Sequence, residues 1–130
     1  MPAPDDRLRP PPSDRLSGPE LFLDLSGVLA RLRKEPSPER DGHRQETVLH
    51  RGHTRLVLFA FNAGGRLIRH RAPGLVTIQA LRGTIIVTTP NGKHELVAPQ
   101  ALALDPGVGH EVDATSEADM LLGVHMITGA

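Results

Sequence analysis

RHRAPGLVTIQALRG, residues 69–83, decides how the rest of the chain is read. After the Pro73-Gly74 turn its side chains alternate. Val76, Ile78 and Ala80 fall on one face of an extended chain, and Leu75, Thr77, Gln79 and Leu81 on the other. That period of 2 marks a strand, closed by Gly83 and opened by a histidine, His70.

The same period runs from about residue 46 to the end. ETVLHR, RLVLFAFN, LVTIQALR, TIIVTT, KHELVA, ALALD, HEVDA and DMLLGVHM read as short strands, and AGG, APG, PNG and DPGVG stand between them as turns. Asn91-Gly92 suits a tight hairpin, because both residue types tolerate positive φ. About eight strands without an intervening helix predict a sandwich or small barrel. An immunoglobulin-like sandwich has neither its cysteine pair nor its buried tryptophan here.

Upstream the pattern changes. Residues 1–18 are charged and proline-rich, with little apolar surface to offset chain entropy, and are expected to be a disordered tail. Residues 19–45 form an extension containing LFLDLSGVLARLRKEP, in which Leu25, Val28, Leu29 and Leu32 recur at helical spacing. Asp24 or Ser26 can cap this helix, Arg31, Arg33 and Lys34 suit its C-terminal dipole, and Pro36 stops it. Gly27 weakens it by up to about 1 kcal/mol relative to alanine. So short a helix must dock on the barrel or on another subunit. SPERDGHRQ reads as a linker, leaving residues 46–130 as the barrel.

Composition excludes several functions. Lys plus Arg and Asp plus Glu are 15 each, so no net field recruits nucleic acid or an anionic membrane. With no Trp, no Tyr and three Phe, bases have no stacking platform. The absence of cysteine removes disulfides, thiolate metal sites and cysteine nucleophiles. No apolar run suits a signal peptide or a membrane span, and a cytoplasmic location is expected.

The strand order and two short motifs resemble the cupin family. The first family motif runs H-x-H, three or four residues, E, six residues, G. Here it falls on His70, Ala72, Val76 and Gly83. The second runs G, five residues, P-x-G-x-x-H, three residues, N, and falls on Pro99, Asp105, Gly107, His110 and Ala114. The resemblance covers about residues 46–127. It implies an all-β fold, a cupin-like double-stranded β-helix or jelly-roll barrel, with the short helix as an N-terminal addition. It also implies that the Val76 face points inward, so that Val76, Ile78, Ala80, Val112 and Ala114 line a pocket near His70 and His110.

Two of the four usual metal ligands are thus replaced by Ala72 and Val76. His70 and His110 are left as a partial site for a divalent transition metal such as zinc, iron, manganese, nickel or copper. Two imidazoles without a carboxylate fall short of ordinary metal sites and leave the ion's charge uncompensated, so the favoured reading has no tightly bound metal. His50, His53, His94, His125 and Gln79 are not assigned as ligands, nor is any residue as catalytic. If His70 points in, Arg69 and Arg71 point out, as a solvated basic rim. The function favoured is a small-molecule-binding or sensory single-domain cupin, whether or not it is an enzyme. A metal-dependent dioxygenase or isomerase using two histidines is the first alternative, and a structural or interaction module the second. The helix stripe and LVLFAF offer more apolar surface than one small barrel readily covers, so a homodimer is expected.

Overall fold

A computed structural model describes residues 18–36 and 41–126. Most of the expected tail, residues 1–17, lies outside the described residues, as does part of the linker. Among the described residues one helix, α1 (Leu25–Lys34), precedes nine strands. These are β1 (His43–Arg51), β2 (Thr54–Phe61), β3 (Arg66–His70), β4 (Leu75–Arg82), β5 (Thr84–Thr89), β6 (Gly92–Val97), β7 (Ala101–Leu104), β8 (His110–Asp113) and β9 (Ala118–His125).

The strands form two antiparallel sheets, ordered β1-β2-β9-β4-β7 and β3-β8-β5-β6. Their inner faces meet in one core. Val76, Ile78 and Ala80 of β4 point into it, as the alternation predicts, against Phe59, Phe61, Leu122 and Met120 of the same sheet and Ile85, Val87 and Val112 of the other. The glycines of both motifs are conformational necessities. Gly83 has φ of 74° and Gly107 of 84°, in the left-handed region that side chains disfavour.

Two strand boundaries differ from expectation. The segment read as a linker already contains the start of β1, because His43 is buried against Phe59 and Phe61, with ring centroids 5.3 and 5.7 Å away. β3 was not among the expected strands. It shows no apolar alternation, since only Leu67 of its five residues is buried. The hairpin is also built differently. Pro90 and Asn91 form its corner, Thr89 pairs with Gly92, and only Gly92 takes a positive φ.

The outer face of the larger sheet carries α1. Leu29 and Leu32 are buried on Val48, Leu58 and Ala60, with Leu81 and Leu121 packed alongside. Asp24 caps the helix by accepting from the Gly27 amide at 3.0 Å. A side chain at position 27 would collide with the Asp24 carboxylate, so the glycine that weakens the helix also permits its cap. Of the two docking possibilities, the helix takes its own barrel. LVLFAF is likewise covered within the chain on both faces. Of the apolar surface from which a dimer was expected, Leu29, Leu32 and residues 57–61 are covered within the chain, while Leu25 and Val28 are half-buried. No helix among the described residues is long and apolar enough to cross a membrane.

Candidate functional site

A cavity of about 210 Å³ opens between the sheets. Val57 and Phe59 of β2, Leu67 of β3, Val76 of β4, and Leu122 and Val124 of β9 make its apolar wall. Strand alternation accounts for them: Val57 pairs with Leu122, Phe59 with Met120, and Val76 with Val124. The polar lining comes from Gln45, Arg55, His70, Arg71 and His110.

His70 and His110 face each other across the β3–β8 pairing, with ring centroids 6.3 Å apart. His70 ends its strand and is exposed, whereas His110 is only 3% exposed. His110 Nδ1 lies 3.3 Å from the Val108 carbonyl. In the neutral ring, donation from Nδ1 leaves Nε2 as the acceptor. Burial pushes the His110 pKa down, the Val108 carbonyl opposes that shift, and the neighbouring His70 adds to it. The unfolded chain therefore takes up this proton at a higher pH than the folded one. Stability from His110 is complete above the ordinary histidine range and falls on acidification through it, by at most about 1.4 kcal/mol per pH unit. Denaturant unfolding at neutral and mildly acidic pH is expected to show a steeper loss for wild type than for His110→Gln. Equal slopes would mean that His110 is not held neutral.

Of the expected pocket lining, one residue borders the cavity and the rest lie deeper. Val76 reaches the cavity and Ala72 flanks it. Ile78, Ala80, Val112 and Ala114 also point inward, but they lie in the packed core with Ile85, Val87 and Met120 and do not line the cavity. The cup is filled by its own side chains except near its mouth.

The other histidines stay away from the cavity. His50 and His53 are exposed at the β1–β2 turn, and His94 of β6 pairs with Val87 of β5. His125 alternates with the inward Leu122 and Val124 and so faces out. Gln79 Nε2 donates to the Pro99 carbonyl at 3.1 Å. Among the described residues no three His, Cys, Asp or Glu side chains gather as a metal site. Nor is any Asp or Glu among the cavity-lining residues. Two imidazoles, one of them tied to a carbonyl, with alanine and valine beside them, do not fit the ligand set of a tightly held metal.

Arg69 and Arg71 are both exposed, as a solvated rim requires, and Arg71 also lines the cavity together with His70. Alternation does not carry past His70, because β3 ends there and its pairing register shifts between Leu67 and His70. Arg55 was missed, although it stands two residues before Val57 on the inward face of β2. Gln45 was missed because its strand was read as a linker. Arg66 and Arg82 are engaged elsewhere, with Asp113 at 3.1 Å and with Asp119 at 2.9 Å.

No protein-family model matches the chain, and no curated protein matches it in sequence. Solved structures do match in shape. A cupin superfamily protein from Desulfitobacterium hafniense superposes with a TM-score of 0.68 at 17% identity, covering 87% of this chain and 96% of that one. An RmlC-like cupin from Shewanella frigidimarina gives 0.67 at 13% identity, covering 88% and 96%. A conserved protein of unknown function from Streptococcus pyogenes gives 0.67 at 21% identity, covering 88% and 94%. The chain has the cupin fold.

Proposed function

We propose that this cupin-fold chain binds a small molecule in the cavity beside His70 and His110, as a binding or sensory module without metal chemistry at that site. The observation that carries this reading is the cavity itself: an apolar wall, a few polar groups in its lining, and, among the described residues, no third His, Cys, Asp or Glu gathered with the two histidines. Small-molecule sites are built in this way. The balanced charge and the lack of Trp and Tyr support the further reading that nucleic acid is not its partner.

The test is a thermal-shift screen of a metabolite library on wild type and on Ala72→Phe, which places a ring at the cavity wall. A ligand present at a hundred times its Kd stabilises by about 2.7 kcal/mol. Hits that stabilise wild type and not Ala72→Phe are expected. Protein purified without chelator or affinity tag that holds one equivalent of transition metal, lost on His110→Ala, would overturn the reading.

A further inference from the structure

We propose that the cavity takes a small organic monocarboxylate whose apolar body is about the size of one six-membered ring. This rests on reading the cavity as a small-molecule site and adds the chemical class of the ligand. Three observations converge on it.

The first is the state of the arginines. Arg31 is paired with Glu46 at 2.5 Å, Arg33 with Asp119, Arg66 with Asp113, and Arg82 with both Asp119 and Glu117. The two arginines that line the cavity are both exposed and have no acid partner, a state that Arg69, outside the lining, shares. Arg55 reaches only the Thr47 hydroxyl, at 3.5 Å, the outer limit of a hydrogen bond. Arg71 has no hydrogen bond or ion pair among the described residues. Two guanidiniums thus stand at one apolar cavity with no acid in its lining, which leaves the local potential positive.

The second is the match of chemistry. A guanidinium presents a planar fork of donors that a carboxylate accepts in a bidentate fashion, and such pairs are stronger than neutral hydrogen bonds. An inorganic anion would gain nothing from Val57, Phe59, Leu67, Val76, Leu122 and Val124. A neutral hydrocarbon would gain nothing from the two exposed guanidiniums. A molecule with one anionic end and an apolar body satisfies both halves of the lining.

The third is size. An apolar protein cavity of about 150 Å³ holds benzene. At about 210 Å³ this cavity has room for one such ring and a small substituent.

The experiment uses the full chain with benzoate and its neutral counterpart, benzyl alcohol, in equilibrium dialysis. With no Trp or Tyr in the protein, the ultraviolet absorption of either probe is read against three Phe only. Benzoate is expected to bind at least about tenfold more tightly than benzyl alcohol. Arg55→Gln with Arg71→Gln should abolish that preference. Equal binding of the two probes to wild type would overturn the carboxylate assignment and leave the small-molecule reading standing. Benzoate binding that survives the double change would also overturn it, since the anion would then lie elsewhere. If neither probe binds while Ala72→Phe still abolishes hits from the library, the carboxylate assignment alone falls.

Discussion

Ala72→His combined with Val76→Glu is expected to raise affinity for Zn²⁺ by on the order of a hundredfold or more over wild type. Both positions line the cavity that His70 and His110 share, so the two changes add donors where two imidazoles already stand. The carboxylate also supplies the negative charge that those imidazoles lack. Val76 is 2% exposed, so a glutamate there is destabilising until it is paired with a cation. The variant should therefore melt below wild type without metal and recover with it, by about 4 kcal/mol at a thousand times its Kd. Competition against a chromophoric chelator measures the affinity, and melting with and without Zn²⁺ measures the coupling. A variant whose melting ignores Zn²⁺ would show that the first motif is out of register, since its three ligand positions would then not converge with His110.

That register was legible because β4 states it plainly. Val76, Ile78 and Ala80 alternate with more exposed neighbours, and Gly83 closes the strand where a side chain would meet the Glu117 carbonyl at 2.7 Å. Depth was not legible. Val76 and Ile78 share one face, yet one borders the cavity and the other is sealed in the core. What separates them is the packing supplied by Ile85, Val87 and Val112 from the opposite sheet, and local alternation carries no record of that packing. β3 escaped for a related reason. An edge strand with four exposed residues out of five has no apolar period to detect, although it brings His70 to His110. Arg71, exposed yet at the cavity, lies one residue past the strand that enforces alternation, so alternation alone does not place it. The helix was legible in position and cap, but not in partner. Its stripe required an apolar surface, and only the fold places Leu58 and Ala60 opposite Leu32.

That partnership sets the other large effect: Leu32→Asp is expected to destabilise the protein by about 4 kcal/mol or more. Leu32 is fully buried in the seam between α1 and the outer face of the larger sheet. The substitution forfeits roughly 1.5–3 kcal/mol of burial and places an unpaired carboxylate among Val48, Leu58 and Ala60. The polar contacts that frame the seam depend on the same docking. Arg31 donates to Glu46 at 2.5 Å, and Arg33 donates to the carbonyls of Phe61 and Ala118 at 3.1 and 2.9 Å as well as to Asp119. A helix pushed off its seam loses these together, so the loss should exceed the leucine's own share. Against a total stability of about 5–15 kcal/mol for a typical domain, that is enough to leave a visible unfolded fraction. Denaturant unfolding measures the loss, and light scattering on wild type and variant identifies its origin. Intramolecular docking requires the variant to lose stability with no dependence on protein concentration. A wild-type dimer that Leu32→Asp converts into an equally stable folded monomer would instead place the stripe between two subunits, and the helix would have to leave its own barrel to get there.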